Sequence, residues 1–176
     1  MGLVPAIPTE TSTGKPVAIG DPYQGGILAY ILQGGDPGYV AGQAHGLIAA
    51  AADQCTGIKW ALAAHEAVPA GTGTALGAGS ANTDKIIAQN GVGSSYAAGL
   101  ARACTDGGYS DWHLPSKDEL NSLYLNRAAV RGLAFAGYWS SSEYDALYAW
   151  GQYFVIGYQG YDRKGSAYRV RAVRAF

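Results

Sequence analysis

The side chains in this chain that could do chemistry are few and scattered. His45, His65 and His113 lie far apart and share no ligand spacing, and Cys55 and Cys104 are not set as a zinc pair. They point to no metal site, no histidine-driven catalysis and no cofactor. The glycine-rich "GTGTALGAG", Gly71 to Gly79, lacks the Lys-Ser/Thr end of a phosphate loop and the spacing of a dinucleotide-binding turn, so it reads as a loop. Asp111, Asp118 and Glu119 sit close in sequence, but helix capping and solvation account for them, and a glycosidase pair does not follow from that spacing. Arg163, Lys164, Arg169, Arg171 and Arg174 give the chain a basic end. Strand alternation places Arg169 and Arg171 on one face, where salt-bridging or capping is the ordinary role and contact with an anionic ligand the sharper one. The cysteines are either one bridge or two free thiols, and both alternatives stay open.

The residue in oversupply is tyrosine. The chain has 13 Tyr and 3 Phe, and Tyr138, Tyr144, Tyr148, Tyr153, Tyr158, Tyr161 and Tyr168 all fall in the last stretch, "YWSSSEYDALYAWGQYFVIGYQGYDRKGSAYRVRAVRAF". A core takes Phe, Leu and Ile before Tyr, because a buried phenol must find a hydrogen-bond partner. In "AWGQYFV" a period of two puts Trp150, Gln152 and Phe154 on one face and Gly151, Tyr153 and Val155 on the other. The first face has the large apolar residues a core wants, so Trp150 and Phe154 are expected inside and Tyr153 outside. The second face suits contact better than solubility: tyrosine offers rigid amphipathic area at low entropy cost, with Gly and Ser as spacers, as in an antibody paratope.

The elements that must carry this tail follow from pattern and punctuation. "GGILAYIL", Gly25 to Leu32, reads as a buried strand, followed by a turn over Gly34 to Gly38. "HGLIAAAA" is ambiguous between strand and helix. Asn82 or Thr83 is expected to cap a helix running to about Asn90, and Ser94 or Ser95 a second one, "YAAGLARAC". The clearest local signal is "PSKDELNSLYLN", where Ser116 and Glu119 form a capping box and Leu120, Leu123 and Tyr124 share a helical face. Strands at both ends with helices between them make an α+β fold.

Bulk properties narrow the function classes. The 176 residues fit one domain with a real core, and 48% hydrophobic against 14% charged residues argues against disorder. A net charge of -1 gives no support for a nucleic-acid or membrane-surface partner. No run approaches the roughly 18 apolar residues of a membrane span. Met1 to Lys15 lacks a basic region followed by an apolar stretch, so no signal peptide is expected. Residues 1–19, rich in Pro, Thr and Gly, read as a linker or N-terminal arm, and 20–176 as the domain.

"DPYQGGILAYI", "HGLIAAAADQ", "GYSDWHLPSKDELNSLY", "YWSSSEY" and "VRAVRAF" together resemble the C-terminal domain of the Legionella collagen-like adhesin over about 20–176, nearly the whole chain. The resemblance implies a C-type-lectin-like fold. The tail, about 138–176, is similar to the variable region of proteins served by diversity-generating retroelements. There, Asn codons of the form AAY are randomised at their adenines, which never yields Trp, Met, Gln, Glu or Lys. On that resemblance Asp145, Leu147, Tyr148, Gly151, Tyr153, Val155, Ile156, Tyr158, Gly160, Tyr161, Asp162, Arg163, Gly165 and Ser166 are the diversified, ligand-contacting positions. The unreachable Trp150, Gln152, Gln159 and Lys164 belong to the scaffold with Trp112, Trp139 and Phe154, while Ala146 and Ala167 remain unassigned. It implies a hypervariable ligand-binding or adhesion module on a virion or bacterial surface. Its partner would be a protein or glycan on a cell surface, with no chemistry of its own, and its oligomeric state is open. Two other classes stay in view: a structural subunit of a tail fibre or appendage, and an enzyme sharing the broad fold, as sulfatase-modifying enzymes do.

Overall fold

The computed structural model describes residues 16–176. The expected N-terminal arm therefore lies, for residues 1–15, outside the described residues, as does the reading of that segment as lacking a signal peptide. What is described of the arm is attached to the domain, since Val17 is fully buried.

Among the described residues nine strands and four α-helices form an α+β arrangement with two sheets. The first sheet joins the two ends of the domain: β1 (Pro22–Tyr23), β2 (Gly26–Ile31), β3 (Gly46–Ala49) and β9 (Val173–Ala175), in the order β1-β2-β3-β9. The ambiguous "HGLIAAAA" is thus a strand, and β3 is buried at every position. The second sheet has the order β4-β8-β5-β6-β7, built from β4 (Cys55–Ile58), β5 (Gly137–Glu143), β6 (Tyr148–Tyr153), β7 (Tyr158–Arg163) and β8 (Tyr168–Val170). All pairings are antiparallel except β5 with β8. Helices α1 (Gly79–Asn90), α2 (Ala97–Arg102), α3 (Lys117–Leu125) and α4 (Arg127–Val130) lie between β4 and β5 in sequence. Among the described residues no helix is long and apolar enough to cross a membrane.

Buried tryptophans with occupied indoles organise the larger core. Trp60 Nε1 donates to Ser140 O at 2.8 Å and Trp139 Nε1 to Ile58 O at 2.9 Å, so the two rings tie β4 and the loop after it to strand β5. Trp112 is also fully buried. A second apolar cluster, Leu120, Leu123, Val130, Tyr138, Phe154 and Val173 among others, seats α3 against the sheet. Cys55 and Cys104 are both free thiols beside the larger core, and burial pushes both thiols up from their ordinary range.

The Ser116 capping box is present. Ser116 Oγ accepts from Glu119 N at 3.3 Å, and Glu119 Oε2 accepts from Ser116 N at 2.8 Å. Glu119 does more than its spacing predicts, because its other oxygen accepts from Gly77 N at 2.9 Å at the entry to α1. This corrects the expected caps of α1. The helix starts at Gly79, before Asn82 and Thr83, and no side chain of its own caps it. Asn82 and Thr83 are buried inside the helix and spent on tertiary bonds, Asn82 to Gly73 and Ser141 and Thr83 to Leu114. Neither Ser94 nor Ser95 caps α2, whose N-cap is Tyr96.

Four of the five basic residues near the end of the chain have the ordinary role. Arg171, fully buried, donates to Asp53 Oδ1, Ala50 O and Gly132 O, while Arg169 and the Tyr138 hydroxyl reach Asp53 Oδ2 at 3.1 and 2.8 Å. Arg174 pairs with Asp111 at 2.7 Å. Lys164, also fully buried, pairs with Glu143 at 2.6 Å and lies 4.8 Å from the Trp60 ring centroid. Arg163 is exposed.

Candidate binding surface

The tail folds as a ribbon, β6 against β7, at the edge of the second sheet. Its register pairs Tyr148 with Arg163, Trp150 with Tyr161, Gln152 with Gln159, and Tyr153 with Tyr158. Paired residues share a face and alternate faces along each strand. The exposed tyrosines are therefore divided between two faces of one ribbon and do not form a single surface.

On the first face, Tyr144 stacks flat on Tyr161, with centroids 3.9 Å apart and planes 8° from parallel. Trp150 and Tyr148 stand edge-on to Tyr161, each 5.7 Å away. The neighbouring Tyr144 hydroxyl pushes the Tyr161 phenol up from its ordinary value. Arg163 hangs over Tyr148 at 5.7 Å, and Lys117 Nζ sits 4.1 Å from the Trp150 ring centroid. The rest of this face is covered by α3: Gln152 Nε2 donates to Asn121 Oδ1 at 2.9 Å and Gln159 Nε2 to Lys117 O at 3.2 Å. Trp150 corrects the simple face assignment. It is half-buried, because α3 lies over Gln152 and its first residue, Lys117, only reaches the ring from above.

On the second face, Tyr168 stacks on buried Trp139 at 4.4 Å, its hydroxyl meets that of Tyr153, and it donates to Asp162 Oδ2 at 3.1 Å. Burial first, and then the Tyr153 contact, push the Tyr168 phenol well above its usual range. Tyr153 and Tyr158 continue this face outward, 37% and 61% exposed. Phe154, at 1% exposure, turns into the core between Tyr138 and Tyr124, as expected. Val155 and Ile156 project from the turn that follows.

Among the diversified positions, Gly151 and Gly160 need correction as contact residues, since both are buried. A Cβ on Gly151 would lie 2.8 Å from Tyr138 O and 3.0 Å from the Tyr168 ring; one on Gly160 would lie 2.7 Å from the Tyr158 ring. The remaining positions are exposed or half-buried. Asp145, Leu147, Gly165 and Ser166 lie in the turns flanking the ribbon, where Asp145 Oδ1 accepts from Leu147 N and Tyr148 N. Three residues of this surface lie outside the diversified positions. Tyr144 stands before the diversified run, Tyr168 after it, and Lys117 arrives from a helix. Period and composition offer a signal for the tyrosines and none for Lys117.

The ribbon is an open aromatic surface. Concavities of about 410 and 210 Å³ are lined by other elements, the first by residues 127–135 with Phe154 and the second around His45, His113 and Phe176. Small ligands sit in pockets, whereas an exposed aromatic face suits a macromolecule.

No curated protein matches the sequence. Residues 49–174 match the family model of the Lcl C-terminal domain, the C-terminal domain of the Legionella collagen-like protein. That span includes the whole ribbon and all five strands of the second sheet, but of the first sheet only Ala49, Val173 and Arg174. The α+β arrangement agrees with the C-type-lectin-like fold of such adhesin-related domains, which in general terms are surface or ligand-binding modules. With more than half of its length matched, the chain belongs to the Lcl C-terminal domain family.

Proposed function

We propose that this domain is a recognition module of a virion or bacterial surface, and that its ribbon is a contact surface diversified by a retroelement. One observation supports this reading above the others. The residue types that adenine randomisation never produces are the ones whose side chains make scaffold contacts. Gln152 and Lys164 are fully buried, Gln159 bonds to α3, and Trp150 lies under Lys117. The reachable positions, apart from the buried Gly151 and Gly160, are exposed or half-buried, with Tyr148, Tyr153, Tyr158, Tyr161 and Arg163 among them. A scaffold fixed by the unreachable residues tolerates change at these surface positions.

The partner is a protein or glycan on a cell surface, held by aromatic anchors with Arg163 and Asp162 adding charge. Nucleic acid, membrane insertion, cofactors and catalysis have no part in this reading. Sequencing the coding DNA and its neighbourhood tests the diversification. The expected result is a near-repeat of the tail differing only at adenines beside a reverse transcriptase gene, and a tail with no such repeat overturns it.

A further inference from the structure

The division of the tyrosines between two faces raises a question of access, since one partner must reach both. The place that touches both is the outer edge of β7, which among the described residues pairs with no strand but β6. Lys164 N–H donates to Leu147 O across the ribbon. Bonded pairs alternate along an antiparallel ladder, so Ala149–Asp162, Gly151–Gly160 and Tyr153–Tyr158 carry the bonds, and the main-chain groups of Gln159, Tyr161 and Arg163 point away from β6. Those of Arg163 are already used, its N–H by Asp162 Oδ1 at 2.7 Å and its C=O by Ser166 N at 2.8 Å. Gln159 and Tyr161 are left with two donors and two acceptors along the edge.

We propose that β7 takes an extended polypeptide segment of the partner as an added strand. This rests on the reading of the tail as a binding surface and names the form of its ligand. An added strand lies about 4.8 Å away and sends alternate side chains to the two faces. One set meets Tyr161 and the Arg163 guanidinium. The other meets Tyr158 across Gly160, which has no side chain to obstruct it. The segment it fits carries aromatic or β-branched residues at alternate positions, with an acidic residue near Arg163. A glycan cannot match donors and acceptors at a strand repeat. A second copy of this chain is disfavoured, because α3 begins beside β7 and a two-fold pairing brings Lys117 of each copy toward the other.

The test starts by selecting binders from a displayed library of random linear peptides, then measures one synthesised binder against Gln159→Ala, Gln159→Pro, Tyr161→Ala and Tyr161→Pro. Each proline removes the same side chain as its alanine and also the outward N–H. An edge strand tolerates proline there, and Gly160 before Tyr161 suits the restriction that proline imposes. The expected result is at least a roughly tenfold weaker affinity for each proline than for its alanine, because a lost donor leaves a peptide carbonyl unpaired. On the unaltered protein, hydrogen exchange at Gln159 N–H and Tyr161 N–H should slow when the peptide binds, a readout that survives any misfolding of the variants. Equal affinities for proline and alanine with unchanged exchange overturn the added strand. If binding still depends on the tyrosines in that case, the proposed function stands without it. A library that yields no binder also overturns the inference, as does a concentration-dependent dimer abolished by Tyr161→Pro, which would assign the edge to a second copy.

Discussion

Tyr144 and Tyr161 lie face to face at 3.9 Å, one from the turn after β5 and the other from the edge strand β7. The contact closes the aromatic cluster over Trp150, yet both rings remain about half exposed, each at 49%. Stacked pairs contribute about 0.5–1.5 kcal/mol beyond area burial, and an exposed pair belongs at the low end. A double-mutant cycle with Tyr144→Ala and Tyr161→Ala should give a coupling of about 0.5 kcal/mol in urea melts. Coupling above about 2 kcal/mol would make the pair a structural element and remove it from the contact surface.

Gly151 should resist substitution although its codon type is reachable. An added Cβ meets Tyr138 O, a backbone atom of the neighbouring strand that cannot move alone. Gly151→Ala should cost about 1–3 kcal/mol by overpacking. A melt unchanged within error would return Gly151 to the set of freely variable positions.

Lys164→Met should be severe. The substitution removes the ammonium from Glu143 and Val68 O but leaves the Glu143 carboxylate, which also holds Ala70 N and Gly71 N. Breaking a buried pair by removing one partner costs about 3–5 kcal/mol. Denaturant unfolding measures it, and the loop at Ala70 and Gly71 should keep its exchange protection better in Lys164→Met than in Glu143→Gln. Equal loss of protection in the two variants would contradict the assignment of that loop to Glu143.

Alkaline pH should weaken the fold through Tyr138. Its hydroxyl donates to Asp53 and accepts from Ala134 N, and burial foremost pushes its phenol up from 10.0 to about 12. A raised folded pKa means the contribution is complete below about pH 10 and is lost as pH rises toward 12. At pH 11 a shift of that size corresponds to about 1.4 kcal/mol. Between pH 8 and pH 11 the wild type should therefore lose about that much more stability than Tyr138→Phe. An equal loss in both would show that Tyr138 titrates normally.

Much of the scaffold was legible in the residues because it rests on local rules. Ser116 and Glu119 mark the start of α3 by spacing alone, and the alternation in "AWGQYFV" separates Phe154 from Tyr153. Long-range contacts were not legible. Glu119 reaches back to Gly77, Asp53 gathers Arg169, Arg171 and Tyr138, and Glu143 receives Lys164, and none of these partners lies within a turn of the other. Trp150 was misread because its face of β6 is only partly covered, α3 reaching Gln152 and stopping at Lys117. The two-faced distribution of tyrosines needed the β6–β7 register, which turn and strand patterns do not supply.

The scaffold should fold without the tail's variable side chains. Tyr148, Tyr153, Tyr158 and Tyr161 are exposed or half-buried, and exposed substitutions usually change stability by within about 0.5 kcal/mol each. Their costs should add to no more than about 2 kcal/mol, with some coupling among the touching rings. The most direct measurement is a urea melt of the protein with all four changed to Ser, beside Trp139→Ser and Phe154→Ser. The four-fold variant should keep a cooperative transition, and each scaffold variant should lose most of its stability. A four-fold variant that unfolds as readily as Phe154→Ser would place the tyrosines in the core and remove the basis for a variable binding surface.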